Sequence, residues 1–173
     1  MCQENTEIMI RGNEGEDRLN SWFQENGLTY FPVKQDIKSF LHTFAKTMKR
    51  PDFFLLLEGI SMIAVDAKNY SLSCGYFTLN KDELYRALSY EIITKMPFWF
   101  AYLHQHEGGS TWYWISALKA LDAGVTRLNS QTKEEFLAIS LNDFISVRNH
   151  EDISKLYTNR CRLNAKIVPI RDN

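Results

Sequence analysis

Pro51-Asp52-Phe53-Phe54-Leu55-Leu56-Leu57-Glu58-Gly59-Ile60-Ser61-Met62-Ile63-Ala64-Val65-Asp66-Ala67-Lys68 is the stretch on which the reading of the fold turns. Two apolar runs of strand length flank a Gly-containing break, the pattern of a β-hairpin. A three-residue loop over 58–60 pairs Leu57 with Ser61 and sets Asp52 opposite Asp66, about 5 Å apart on one face. Period two then adds Lys68 to that face and turns Ala67 away. A two-residue turn would instead pair Leu57 with Ile60 and send the two aspartates to opposite faces, because a slip of one residue inverts every side chain. The longer loop is preferred, since carboxylates at the ends of apolar strands need a use or a partner. Two acids and a lysine gathered at one end of a hairpin suit a divalent metal and phosphate chemistry. The plainer alternative is a structural ion pair on the hairpin rim.

Working outward, 173 residues with 45% apolar and 24% charged content describe a globular chain, read as one domain over 1–173 with room for a real core. No apolar stretch reaches the roughly 18 residues needed to span a bilayer. The polar start Met1-Cys2-Gln3-Glu4-Asn5 lacks a basic-then-apolar signal, so no membrane association and a cytoplasmic location are expected. Cys2, Cys74 and Cys161 are odd in number and widely spaced, which favours three unconnected thiols. A net charge of −1 argues against tight nonspecific adhesion to nucleic acid by bulk charge, but leaves room for contact with a few phosphates. Lys34, Lys38, Lys46, Lys49 and Arg50 form a local basic group ahead of the hairpin, read first as a solvated helix face.

Along the chain, Gly12-Asn13-Glu14-Gly15 leads into a helix expected at about 16–26, with Leu19, Trp22 and Phe23 as its stripe and Asn26-Gly27 as its stop. A strand follows over 28–33, then helical spacing of Ile37, Phe40, Leu41 and Phe44 over 36–48. Residues 80–95 form the clearest amphipathic helix: Asn80 caps it, Glu83 completes a capping-box-like start, and Leu84, Leu88 and Ile92 recur with Ala87 alongside. Phe98 to Leu103 and Trp112 to Ile115 make a second hairpin around Glu107-Gly108-Gly109-Ser110. Short helices are expected at 116–122, 133–138 and 151–157, and a strand at 143–148. The order predicts an α/β fold, a central mixed sheet flanked by helices.

On these residues the sequence resembles the PD-(D/E)XK nucleases, the restriction-endonuclease-like superfamily. Pro51-Asp52 stands for the first half of their motif and Asp66-Ala67-Lys68 for the second. Glu16, after a small-residue entry, takes the place of the acid that commonly comes from the first helix, with Glu14 and Asp17 as competing candidates. The layout is most similar to archaeal-type Holliday junction resolvases and small restriction-like nucleases. The correspondence covers roughly residues 12–105, and it implies a nuclease-like core over about 12–116 in a three-layer α/β/α arrangement, with 117–173 as a C-terminal extension. Some members carry Gln-x-x-x-Tyr on the downstream helix, where this chain has Arg86-Ala87-Leu88-Ser89-Tyr90.

The resemblance implies a metal-dependent nuclease hydrolysing DNA phosphodiester bonds. Its catalytic residues would be Asp52, Asp66, Lys68 and Glu16, its cofactor Mg²⁺ or Mn²⁺, and its partner nucleic acid, with a homodimer as one arrangement. Asp52 and Asp66 would be metal ligands, joined by the Ala67 carbonyl and by Glu16. Lys68 would position or activate water, or stabilise charge on the phosphate. Clustered acids should hold raised pKa values in the absence of metal. A different class of function is a nuclease-like domain with an idle site that binds nucleic acid or protein; another is a structural partner that docks through its aromatic hairpin.

Other groups carry less. His104 and His106 share a strand face and can bind zinc, but lack further ligands at recognisable spacing. Trp99, Tyr102, Trp112, Tyr113 and Trp114 can stack on bases, or fill a core or interface. A Gly-x-Ser-x-Gly nucleophile elbow and a phosphate-cradling Gly-rich loop with Lys are both absent from the sequence.

Overall fold

The computed structural model describes residues 2–33, 47–59, 61–106, 109–130 and 132–159. In chain order these form α1 (Cys2–Glu25), β1 (Tyr30–Pro32), β2 (Phe53–Leu57), β3 (Ser61–Lys68), β4 (Tyr76–Asn80), α2 (Lys81–Thr94), β5 (Phe98–His106), β6 (Gly109–Ser116), α3 (Ala117–Ala123), β7 (Val125–Leu128), β8 (Glu135–Ser140), β9 (Ile145–Val147) and α4 (Ser154–Asn159). Among these residues the main sheet has six strands in the order β1-β2-β3-β5-β6-β9. Its one parallel pair is β3 with β5, and the others are antiparallel. A parallel pair needs a long crossover, and here α2 lies within that connection. The expected mixed α/β architecture is thus the one found.

The hairpin has the register read from the three-residue loop: Leu57 pairs with Ser61, Leu55 with Ile63 and Phe53 with Val65. Gly59 stands at φ 71°, a conformation a tight turn asks for and a side chain resists. The ladder stops at Phe53, however. Asp52 sits in a bend, its N–H donating to the Val65 carbonyl at 2.8 Å. It is therefore not a square ladder partner of Asp66.

Two apolar layers sandwich the sheet. Leu19 and Phe23 of α1, with Ile153 and Leu156 near the C-terminus, pack on Leu55, Val65, Trp99 and Trp114. On the other face Leu84 and Ala87 of α2 and Ala117 and Ala120 of α3 pack on Ala64, Phe98 and Phe100. Odd and even positions of β5 thus serve opposite cores, as period two requires. The aromatic hairpin is consumed in this way: Trp99, Tyr102, Trp112 and Trp114 are all buried. Trp99, Trp112 and Trp114 pack into the core on the α1 side and Tyr102 into the core on the α2 side, while Tyr113 is half-buried. His104 packs beside Phe77 and Tyr113.

Several local expectations need correction. The first helix starts far earlier than residue 16 and runs through Gly12-Asn13-Glu14-Gly15. A helix-interior glycine costs only about 1 kcal/mol, too little to break a helix that packing supports. Its end is as read: Gly27 has φ 63°, and the Gly27 and Leu28 N–H groups return to Gln24 and Phe23 carbonyls, a Schellman close. On α2 the cap is Asn80, whose Oδ1 accepts from the Asp82 and Glu83 N–H groups at 2.8 and 3.2 Å. Its buried stripe is Leu84, Ala87, Tyr90 and Glu91, whereas Ile92 is 67% exposed. Strict spacing of four drifts by about 40° per step around a helix with 3.6 residues per turn.

The largest correction is a second sheet, three strands in the order β4-β8-β7. Residues 133–138 were expected to be helical, yet β8 occupies 135–140. Pairing with β4 and burial of Leu137, Ala138 and Ile139 override the helical preference of Lys-Glu-Glu-Phe-Leu-Ala. β4 was not among the expected strands, though its alternation was a signal for one, with Phe77 and Leu79 inward and Tyr76, Thr78 and Asn80 outward. The expected helix at 36–48 falls almost wholly outside the described residues. No helix among those described is long and apolar enough to cross a membrane.

Candidate nuclease-like site

Period two places Asp66 and Lys68 of β3 on the same face as Ala64, toward α2. Both are buried, Asp66 to 1% exposure and Lys68 to 7%. Lys68 Nζ lies 2.7 Å from Asp66 Oδ2 and 2.6 Å from Glu83 Oε1. Lys49 Nζ lies 2.8 Å from Asp66 Oδ1 and 2.5 Å from the same Glu83 oxygen. The four charges alternate in sign around a closed ring. Buried ions are tolerated only when paired and hydrogen-bonded in this fashion.

Asp52 joins the ring from the bend ahead of β2. Its Oδ2 accepts the Ala67 N–H at 2.8 Å, so the backbone of β3 fixes the carboxylate beside Asp66. Glu16 comes from α1 around the end of β3. Gly15 makes that approach possible: a Cβ built there would stand 3.0 Å from the Asn69 Cβ, just past the strand. The structure also separates the competing acids. Glu14 pairs with Arg18 and receives the Asn69 amide at 3.4 Å, and Asp17 is exposed. Glu16 lies in the fourth turn of its helix, so the dipole at a helix N-terminus does not explain it.

The electrostatics follow from this crowding. Burial pushes the Asp52 carboxyl well above its usual range, and Asp66 and Glu16 push the same way, against the Ala67 N–H. Glu16 is raised by burial and then by Asp66. Burial alone would raise Glu83, but Lys68 and Lys49 outweigh it and bring Glu83 down to about 2. Burial opposes the charge on Lys68, yet Asp66 and Glu83 hold it well above the usual lysine range. Lys49 is raised by the same contest, with Lys68 opposing. Both ammoniums therefore stay protonated through neutral pH. If Glu16, Asp52, Asp66 and Glu83 are all ionised, they outnumber the two lysines by two charges.

Sequence reasoning missed Lys49 and Glu83 as members of this cluster. Lys49 was placed on a solvated helix face; its N–H instead donates to the Arg86 carbonyl of α2, which brings it to the site. Glu83 was read as a capping-box partner, but its carboxylate turns inward to the lysines. The only advance signal for Glu83 was an acid in a first helical turn, which cannot distinguish the two uses. Arg86 and Tyr90, in place of Gln-x-x-x-Tyr, do not enter the ring: Arg86 pairs with Asp82 and Tyr90 packs against Phe98. Among the described residues no three Asp, Glu, His or Cys side chains converge tightly enough to cage a metal.

No family model and no curated protein matches this sequence. Among solved structures, the chain is similar to Hjc of Archaeoglobus fulgidus, a Holliday junction resolvase from an archaeal hyperthermophile, with a TM-score of 0.51. The likeness covers 83% of this chain and 95% of that one at 11% identity. The restriction-endonuclease-like fold implied by the resemblance is therefore the fold present, and at that identity the likeness speaks for the fold alone.

Proposed function

We propose that the protein is a metal-dependent nuclease that hydrolyses DNA phosphodiester bonds. The observation that carries the reading is the meeting of Asp52, Asp66 and Lys68 at one end of the β2–β3 hairpin, in a nuclease-like fold, with Glu16 joining from α1. The donor set fits Mg²⁺ or Mn²⁺. Its oxygens are hard, its full ionisation leaves two negative charges over, and Mg²⁺ commonly binds through one or two carboxylates while keeping its waters. Asp52 and Asp66 would hold the ion, with the Ala67 carbonyl and Glu16 supporting. When bound, such an ion lowers the pKa of its water and neutralises charge on phosphate oxygens.

The remaining work falls to the chain's own groups. Lys68 stays protonated, so it serves as a fixed cation beside the reacting phosphate and not as a base. Its position is set by Asp66 and Glu83 before substrate arrives, which limits reorganisation. Burial and neighbouring acids hold the Asp52 and Glu16 carboxyls above their usual range, so positive charge entering the site favours their ionised forms. Two copies of the chain would present two such sites to the strands of one duplex.

A second reading has its own support. Both oxygens of Asp66 already face ammonium groups, the arrangement an idle site would keep as a structural network. Cleavage of supercoiled plasmid in Mg²⁺ or Mn²⁺, beside Asp66→Ala and Lys68→Ala, separates the two. We expect cutting by the natural chain and loss of at least a hundredfold in either variant. Equal behaviour of all three proteins would refute the enzyme and favour the idle domain.

A further inference from the structure

Lys49 and Lys68 grip the same two carboxylates but are anchored differently. Lys68 projects from β3, its ammonium 5.8 Å from the Phe100 ring centre and 6.0 Å from that of Tyr70. Lys49 belongs to the irregular segment before β2, and its side chain is 21% accessible against 8% for Lys68. Lys49 is therefore the less enclosed of the two ammoniums.

Their division of Asp66 matters for any cation that comes to it. Lys49 faces Oδ1 and Lys68 faces Oδ2, so a metal bound through Asp66 must share an oxygen with an ammonium or displace it. Two cations crowded on one oxygen repel strongly in a poorly solvated site. Lys49 has a second holder already in place, since Glu83 lies 2.5 Å away and stays ionised.

We propose that Lys49 is a built-in counter-ion that competes with the divalent metal for Asp66 Oδ1, and that Glu83 retains it once the metal takes that oxygen. The inference rests on the metal-dependent reading above and adds a specific role for two residues in it. Lys49 neutralises Asp66 before loading and sets how tightly the metal binds. Glu83 acts as a positioning residue by giving Lys49 somewhere to stay.

The test is a Mn²⁺ titration of the full chain, read by loss of the free-ion paramagnetic resonance signal and by calorimetry, with no nucleic acid present. Lys49→Met should bind Mn²⁺ roughly tenfold more tightly than the natural chain, the effect of removing a competing contact charge. Lys49→Arg should stay close to the natural affinity, and Glu83→Gln should bind several-fold more weakly. Asp66→Asn should abolish binding in every background. Lys49→Gln stands in if the Met variant unfolds, which far-ultraviolet circular dichroism would reveal.

If Asp66→Asn abolishes binding but Lys49→Met and Lys49→Gln leave the affinity unchanged, the competition is wrong and the metal reading survives. If Asp66→Asn changes nothing, or no variant binds Mn²⁺, the metal reading fails and takes this inference with it. If Lys49→Met binds where the natural chain does not, the counter-ion role is supported outright.

Discussion

Two charged clusters among the described residues are assembled in different ways. Lys119 and Asp122 meet within one turn of helix, with Lys119 Nζ 3.4 Å from Asp122, and Asp143 joins from just after β8 at 3.3 Å. Helix α3 itself brings Lys119 and Asp122 together at i,i+3. The cluster around Asp66 draws instead on α1, the segment before β2, β3 and α2. It holds four carboxyls against two lysines, and two of those carboxyls have raised pKa values. A local pair can arise as a by-product of helix formation. A crowded cluster from four separate parts of the chain opposes its own assembly, and a fold keeps such a thing most readily where chemistry uses it.

The sharpest way to break that comparison is to remove one lysine from each cluster. Lys68→Met should lower cleavage by at least a hundredfold in the plasmid assay. Lys119→Met should leave cleavage unchanged while lowering stability by about 1–3 kcal/mol in urea unfolding, because Asp122 is buried. Equal loss of activity in the two variants would mean that the clusters do not differ in kind.

Acidity offers the next test. Asp52 should take up a proton as pH falls through its raised pKa, and that proton competes with metal. Mn²⁺ affinity should therefore climb with pH above the ordinary carboxylate range, by up to about tenfold per unit, until Asp52 is ionised. Asp52→Asn should flatten this slope. In the metal-free protein the sign reverses: a raised carboxyl pKa contributes stability that is lost as pH rises through it. Glu83, at about 2, contributes the opposite way, with stability full above its ordinary 4.5 and lost as pH falls from there toward 2. Urea midpoints measured across this range with and without Mn²⁺ would expose both signs.

The smallest effect concerns the approach of α1. Gly15→Ala would normally gain up to about 1 kcal/mol in a helix interior. Here the new Cβ meets Asn69 Cβ at 3.0 Å, so either Asn69 or the turn of helix that carries Glu16 must give by a few tenths of an ångström. We expect no gain in thermal stability and a several-fold loss of cleavage. A plain rise in melting temperature with full activity would show that Glu16 need not be held so closely.

Much of the local framework was legible because it rests on neighbours in sequence. The hairpin register came from a short loop with Gly59, and α2 from Asn80 and its apolar spacing. The stop of α1 came from Asn26-Gly27. Where the reading failed, the deciding partner was remote. The segment at 133–138 has helical composition, and most of it became a strand because β4 and β7 were there to pair with it. Lys49 looked like a solvated cation until α2 supplied the Arg86 carbonyl, and Glu83 looked like a cap until two lysines faced it.

By itself the sequence determined the β2–β3 hairpin, the placement of Asp66 and Lys68 on one face, and the amphipathic helix downstream. Loop length, alternation and capping act over a few residues and leave little choice. Tertiary structure alone decided that Glu16 and not Glu14 turns to the site, that Lys49 and Glu83 close the ring, and that a second sheet forms. Those outcomes depend on which side chains meet across the fold, where burial makes the pairing of charges compulsory.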